Sequence, residues 1–429
     1  MKVLFLTYHG FDPGSGISKK MLAQVKGLRQ NGHEVHVCSY SVAPDGSRCR
    51  YVDDVVIKNY GRGALATVRQ RVDLDCVYRY CTDNGIEVVY VRHFMNASPS
   101  LVRLFHRLRR AGIKSVMEIP TYPYDQEFHG FPLSQRLRLF VDRLFRHSLA
   151  RQMEGIVTFS EAQTIFGQRT IRISNGVDLD VIPLNPQLAD ATRRVPTSSD
   201  HSTLNSQPST LNSQHSTLNS QHSTLNSQHS TLNSQPSTLN LIGVAEVHVW
   251  HGYDRLLRGL GEYYATGDVP VRVVFHIVGN VWPSEMDGIG SGTGYGFRAI
   301  IEEYGLQDKV VFHGQLFGQQ LDEVFAQCQF AVGSLGRHRS GITSIKTLKN
   351  REYASRGLPF IYSEQDSDFD HQPYVLKAPA DESPINIRAI VGFMQRFAMA
   401  PADIRRTVEH LSWKRQMQLV IECLTRESK

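Results

Sequence analysis

A chain of 429 residues is long enough for two domains, each with its own core. Its net charge of +6 suits phosphate-bearing ligands or an anionic membrane surface, and argues against extended tracking along nucleic acid. Six cysteines, at 38, 49, 76, 81, 328 and 423, form no CxxC pair and no metal-finger spacing, so reduced thiols and no bound metal are expected.

The chain opens on MKVLFLTYHGFDPG, whose apolar run is too short for a signal peptide or a membrane span, so a soluble cytoplasmic protein is expected. KVLFLTY (2–8) predicts a strand, and HGFDPGSGISKK (9–20) a glycine-containing loop running into a helix that ends at Asn31–Gly32. HEVHVCSY (33–40) is the next strand, which makes this the opening unit of a Rossmann-like sheet. Gly14 and Gly16 allow close backbone approach to a ligand, but the third glycine of the dinucleotide fingerprint is missing. A nicotinamide dehydrogenase is therefore disfavoured.

Alternation continues through 55–60, a helix around 64–84, a strand at 86–92, a helix around 98–111 and a strand at 114–120. Two candidate acceptor-side sites stand at strand carboxyl ends, where such sheets keep their ligands. One is His93, open between a structural hydrogen bond and an acceptor role. The other is Glu118 with Tyr122, Tyr124, Asp125 and Glu127, open between sugar stacking with hydroxyl contacts and an ordinary loop. LSQRLRLFVDRLFRHSLARQ (133–152) predicts a basic amphipathic helix. It packs on the sheet by its apolar side or rests on an anionic lipid surface. GIVTFS (155–160) and TIRISNGVD (170–178) close the half.

Residues 201–240 are tandem copies of HSTLNSQ, with Pro in place of His at 208 and 236. One leucine per seven residues falls short of a coiled coil, so 186–240 is expected to be a disordered linker between domains of 1–185 and 241–400. His201, His215, His222 and His229 within it lack a preset metal geometry. The second half resumes the alternation at LNLIGVAEVHVWHGYDR (239–255), VRVVFHIVGN (271–280) and KVVFHG (309–314). Helices at about 384–397 and 401–427 are expected to cross back onto the first domain.

The whole is organised around 334–362, a strand end, a basic loop, a helix at roughly 343–356 stopped by Gly357 and Pro359, and a strand. A helix N-terminus at the carboxyl edge of a sheet suits phosphate, and Arg337, Arg339, Lys346, Lys349 and Arg351 crowd it. Glu352 followed by Tyr353, Ala354, Ser355, Arg356, Gly357, Leu358 and Pro359 resembles the donor-site signature of retaining GT-B glycosyltransferases of the family-4 type. SNGVD (174–178) and the strand ending Val278–Gly279–Asn280 resemble the same family.

The resemblance implies two Rossmann-like domains facing a central cleft, no cofactor, and transfer of a sugar from a nucleotide-diphosphate donor to a carbohydrate or lipid-linked acceptor. It implies retention of configuration, without a metal, in surface polysaccharide or glycolipid assembly. Glu352 would hold the donor ribose, and backbone around Gly314 the base. Arg337, Arg339, Lys346, Thr347, Arg351 and His251 are the candidate donor contacts. Ser344 stands where the family has its first glutamate, while Val244 and His251 stand where it has Arg and Lys. The departures at Ser344 and Val244 keep open a non-catalytic nucleotide- or sugar-binding subunit; a GT-B nucleotide-sugar epimerase is a further alternative, which would need acid/base carboxylates around the sugar. A lipid-linked acceptor would place the protein on the inner face of a membrane, touching it through 133–152.

Overall fold

A computed structural model describes residues 1–8, 10–11, 15–92, 97–125, 133–186, 238–288 and 296–425. Gly14, His93 and residues 187–237, which include nearly all of the repeat and its histidines, lie outside the described residues.

Apolar runs with turn residues between them build two sheets. The first contains β1 (Lys2–Leu6), β2 (Glu34–Val42), β3 (Arg48–Val52), β4 (Val55–Asn59), β5 (Val88–Arg92), β6 (Lys114–Ile119), β7 (Gly155–Thr158), β8 (Thr164–Ile165) and β9 (Gln168–Arg172). Their order is β4-β3-β2-β1-β5-β6-β7-β9-β8, parallel from β2 to β9 with antiparallel edges. The second contains β10 (Thr238–Val244), β11 (Arg272–Val278), β12 (Val310–Gly314), β13 (Phe330–Val332), β14 (Phe360–Tyr362) and β15 (Val375–Lys377). It is parallel throughout, in the order β12-β11-β10-β13-β14-β15. Strands buried on both faces need no alternation, which is why FAV and FIY suffice for β13 and β14.

Helices cover both sheets. In the first domain they are α1 (Gly16–Gln30), α2 (Gly63–Val72), α3 (Asp75–Asp83), α4 (Pro99–Arg110) and α5 (Leu133–Ala150). In the second they are α6 (Tyr253–Ala265), α7 (Pro283–Asp287), α8 (Phe297–Glu303), α9 (Gly318–Phe325), α10 (Leu348–Ser355), α11 (Ile387–Arg396) and α12 (Pro401–Arg406). The last helix, α13 (Trp413–Thr425), returns to the first domain, where Trp413, Met417, Val420 and Leu424 join the core formed by Val3, Phe5, Met21 and Val25. Helix α11 does not cross: Ile387, Ile390 and Val391 pack in the second core. Among the described residues no helix is long and apolar enough to cross a membrane. All six cysteines are free.

Four boundaries differ from the sequence reading, among them 401–427, which is α12 and α13 rather than one helix. The end of the last repeat is not linker: Thr238, Leu239 and Asn240 open β10, with Leu239 buried and Thr238 exposed, because the repeat's leucine there meets a sheet. The span 64–84 is two helices, broken at Asp73–Leu74. Helix α10 starts at Leu348, five residues later than expected, because Ser344 and Ile345 instead bridge to Gln365 as extended backbone.

Candidate functional site

Strand order locates the place to look. In the second sheet the chain turns one way from β10 and the other way from β13, so the loops after these neighbouring strands part at a topological switch point. Residues 245–252 follow β10 and residues 333–341 follow β13. They touch through Leu335 N donating to His251 O at 2.8 Å and Gly336 N to Trp250 O at 3.2 Å. A Cβ on Gly252 would lie 2.6 Å from the Gly336 backbone, so this junction has no room for a side chain. The first turn of α10 and the residues after β14 complete the edge.

Buried polar atoms collect there without hydrogen-bond partners. They are Lys349 Nζ, both carboxyl oxygens of Glu364, Ser334 Oγ and Thr347 Oγ1. Burial pushes the Lys349 ammonium down to about 7, helped by the nearby Arg337 charge and opposed by Glu364. Burial pushes the Glu364 carboxyl up to about 7, against Arg337 and Lys349. Such orphaned groups are costly unless a ligand completes them. His251 is beside them. Its Nδ1 accepts from His248 N at 2.9 Å. Burial, with Lys349 and Arg337 adding to it, keeps its ring neutral and well below the usual range. A neutral ring with Nδ1 accepting presents Nε2–H as a donor. Above the loop His248 stacks on Trp250 at 4.4 Å and on Trp282 at 5.6 Å, and the Arg337 guanidinium lies 5.7 Å from the Trp250 ring.

Several expected donor contacts are occupied elsewhere. Arg339 forms a fork with Asp254 at 2.8 and 2.9 Å and also binds Glu382. Arg351 is fully buried and holds Asp366 at 2.7 Å, Asp368, Thr347 O at 2.9 Å and Ser174 Oγ at 2.8 Å. It thereby pins the second domain to the SNGVD segment of the first. Lys346 Nζ lies 3.2 Å from Glu161, and its carbonyl accepts from Asn175 Nδ2. Gly176 does more than make a turn, because a Cβ there would meet the Trp413 ring at 2.4 Å. Within the basic crowd, Lys346 and Arg351 thus clamp the two domains together, while Arg339 is neutralised inside the second. The members of the crowd share a sequence neighbourhood but face different partners.

The remaining sites fall as follows. Glu352, half-buried on α10, accepts from Arg356 at 2.9 Å, and Arg356 reaches Asp322 on α9 at 2.8 Å. Ser344 is exposed in its bridge to Gln365. Gly314 ends β12 in the left-handed region at φ +67, and exposed Phe317 follows. Lys19 of the first domain lies 4.8 Å from the Phe317 ring centroid. Val244 N is bonded to Tyr353 Oη at 3.1 Å. Gly16 begins α1 with open space where a side chain would stand.

In the first domain, Glu118 faces inward. It accepts from Tyr90 Oη at 2.5 Å, Gln24 Nε2 at 2.6 Å and Arg92 at 2.9 Å, and Lys20 Nζ is 3.3 Å away. Burial alone would raise its carboxyl, but Lys20 and Arg92 hold it down at about 2. Tyr124 Oη donates to Asp142 at 2.6 Å, Asp125 pairs with Arg146 at 2.9 Å, and the Tyr122 ring meets Phe166 edge-on. The aromatic–acidic segment is therefore tied to α5 and the core, with its polar groups already bonded inside the domain. The sequence reading placed Lys349 in the basic crowd but not among its site residues. It missed Lys20 and Glu364 altogether, since a lone Glu five residues beyond a Pro carries no signal until a sheet edge buries it.

No protein-family description matches the sequence, and no match was found among curated proteins. Solved structures do match. The Anabaena protein HepE, solved with UDP-glucose, superposes with a TM-score of 0.54 at 14% identity, covering 99% of this chain and 100% of that one. The trehalose-6-phosphate synthase OtsA gives 0.55 at 10% identity over 99% of both chains, and TarM 0.54 at 11% over 99% of both. This is the GT-B fold. Two parallel sheets, a crossing C-terminal helix and an edge of switch-point loops are the GT-B architecture, and the site above occupies its C-terminal domain. Among the described residues no group of three or more His, Cys, Asp and Glu side chains is placed to hold a metal ion.

Proposed function

We propose that the protein is a glycosyltransferase that moves a sugar from a nucleotide-diphosphate donor to a hydroxyl of a carbohydrate or lipid-linked acceptor, in surface polysaccharide or glycolipid assembly. One observation carries it: the only buried cluster described with a cation, a carboxyl and two hydroxyls all unpartnered stands at the switch point of the C-terminal sheet. Its cationic part is Lys349, and an anionic ligand completes it. The His248–Trp250–Trp282 stack beside it offers an apolar ledge to a ring. Glu352 accepts from a ribose hydroxyl, with Arg356 holding the carboxylate in place.

In the transfer, the bond from the anomeric carbon to the diphosphate oxygen breaks, and its electron pair leaves with the diphosphate. The acceptor oxygen bonds to the anomeric carbon and passes its proton to the departing phosphate oxygen on the same face, so configuration is retained. Lys349 and the Nε2–H of His251 stabilise the developing charge in a water-poor edge, where fixed donors are most effective. This reading uses no metal and no cofactor. It places the enzyme in the cytoplasm, with 133–152 against the inner face of a membrane when the acceptor is lipid-linked.

A second reading has its own support: Ser344 replaces a glutamate, and Arg339 and Arg351 are already neutralised. A subunit that binds a nucleotide sugar without transferring it fits these facts. Calorimetric titration with UDP, GDP, ADP and NAD, followed by hydrolysis and acceptor-supplemented assays on the matching sugars, separates the two. Selective binding of one diphosphate, weakened in Lys349→Met and accompanied by sugar release or transfer, supports the enzyme. Tight binding with no turnover under either assay supports the subunit. Binding of NAD alone, or of none, sinks both.

A further inference from the structure

Beyond β14 the chain runs on as extended backbone beside the segment that leads into α10. Gln365 N donates to Thr343 O at 2.8 Å and Ile345 N to Gln365 O at 2.9 Å, so Ser344 and Gln365 pair across a parallel bridge. Partners across such a bridge share a face, and their neighbours in the chain take the other. Ser344 and Gln365 are exposed, whereas Glu364 and Asp366 are buried. The serine that stands at the family's glutamate position is thus turned outwards, and a glutamate next to its bridge partner is turned inwards.

Only one of the two inward carboxylates is paired. Asp366 accepts from Arg351 at 2.7 and 3.1 Å, while Glu364 has no hydrogen-bond partner on either oxygen. The Glu364 backbone is fixed, since its carbonyl accepts from Lys377 Nζ and the preceding Ser363 N donates to Ser334 O at 3.0 Å. Burial acts most on its carboxyl, followed by its own N–H and by Arg337, Lys349 and Asp366, while its charge reaches Tyr253. Arg337, Lys349 and Tyr253 belong to the loop after β13 and the first turns of α10 and α6, the walls of the switch-point site.

Hydrogen-bonding sense sorts the groups at this edge. Protonated Lys349 and the Nε2–H of His251 donate, which suits a diphosphate, whose oxygens only accept. Ser334 Oγ and Thr347 Oγ1 serve either sense. An ionised Glu364 only accepts, so a diphosphate leaves it unsatisfied and a donor-bearing group is needed beside it. In a nucleotide sugar the transferred sugar supplies such donors next to the diphosphate. We propose that Glu364 reads the donor sugar, its two oxygens accepting from sugar hydroxyls that the outward Ser344 does not reach. This rests on the glycosyl-transfer reading and makes Glu364 a specificity-determining residue. Donors that lack or mask those hydroxyls leave the carboxylate unpaired again and are rejected.

The test uses the full chain and calorimetric titration of UDP, GDP and ADP. UDP-glucose, UDP-galactose, UDP-N-acetylglucosamine, GDP-mannose and ADP-glucose are each read against their own diphosphate. In the unmodified protein at least one sugar nucleotide is expected to bind about tenfold or more tighter than its diphosphate, the range for hydrogen bonds to a charged group. Glu364→Ala should erase that gain while the diphosphate itself still binds within about threefold. Glu364→Gln has the same shape and no charge, so the gain should fall to about threefold with the thermal midpoint kept. Deoxy analogues of the favoured donor, each lacking one sugar hydroxyl, close the cycle. At least one should lose about tenfold against the unmodified protein and nothing against Glu364→Ala. A gain that survives Glu364→Ala, a gain abolished by Ser344→Ala, or no gain for any sugar nucleotide overturns the proposal and leaves the donor reading. So does an equal weakening of diphosphate and sugar nucleotide in Glu364→Gln with a lowered midpoint, which marks a structural role. Failure of every diphosphate to bind removes the donor reading and this assignment with it.

Discussion

Two buried basic clusters lie at the sheet edges of this molecule, and they are built in opposite ways. In the N-terminal domain, Lys20, Arg92, Tyr90 and Gln24 converge on one carboxylate, Glu118. In the C-terminal domain, Lys349 has no hydrogen-bond partner, and neither do both oxygens of Glu364, Ser334 Oγ or Thr347 Oγ1. Both carry buried charge. In the first the carboxylate is bonded to its cations, with only Gln24 Oε1 left unpartnered. In the second the lysine and the carboxyl have no hydrogen bond. The contrast recurs within a single helix: two residues beyond Lys349, Arg351 binds two aspartates, a serine and a carbonyl. What separates the two cations is whether the fold supplies their partners, not residue type or burial.

The comparison can be broken most forcefully at Glu118. Glu118→Ala leaves Lys20 and Arg92 buried without a counter-charge and is expected to cost about 3–5 kcal/mol in denaturant unfolding. A loss below about 1 kcal/mol would mean that the N-terminal cluster is not the closed network drawn here. Lys349→Met should behave differently, keeping or raising stability at neutral pH while weakening nucleoside-diphosphate binding by about 10- to 100-fold, the range for a charged hydrogen bond. Equal loss of stability in both variants would erase the distinction.

Titration sharpens it further. Burial lowers Lys349 to about 7. Between about 7 and the unfolded value near 10.4, the unfolded chain therefore holds more protons than the folded one, and stability rises with pH. Diphosphate affinity runs the other way, falling as pH rises through about 7, because the ammonium loses its charge while Glu364 gains one. Arg337 stays charged throughout, and buried His251 stays neutral. Lys349→Met should flatten both slopes, and Glu364→Gln should preserve affinity on the alkaline side. Calorimetry between about pH 5.5 and 8.5, roughly one and a half units either side of the Lys349 value, reads both effects. The smallest expected effect is at Glu352: Glu352→Ala removes a neutral hydroxyl contact of about 1 kcal/mol, so affinity should drop about five- to tenfold with little pH dependence. A drop shared equally by nucleotide diphosphates and inorganic diphosphate would place Glu352 at the phosphates rather than the ribose.

Much of the architecture was legible because it depends on local pattern. Continuous apolar runs such as KVLFL and RVVFHIV announced buried parallel strands, and Asn31–Gly32 and Gly357 marked helix ends, with both glycines in the left-handed region. The segment 334–362 was also legible as a strand end, a basic loop, a helix and a strand, although the helix begins at Leu348. The membership of the C-terminal site was less legible. Arg337, Arg339, Lys346, Lys349 and Arg351 look equivalent along the chain, and pairing with Asp254, Glu382, Glu161, Asp366 and Asp368 sorts them. Those partners come from as far away as another domain, and no spacing rule connects them. Glu118 and Tyr124 were misplaced for the same reason: a polar residue at a strand end looks available until Lys20, Arg92 or Asp142 arrives from a distant helix.

The sequence by itself determined the alternation of buried strands and helices in both halves and the helix that carries Glu352, since each follows from hydrophobic period and turn chemistry within some twenty residues. The antiparallel edges at β3 and β8 and the short β15 carried no such signal. Tertiary structure alone decided which charges are neutralised, which glycine makes room for Trp413, and where a leucine of the repeat becomes a strand. Burial and pairing are properties of residues far apart in sequence. The same lysine is a solvated cation, a salt-bridge partner or a ligand contact according to what the fold sets against it.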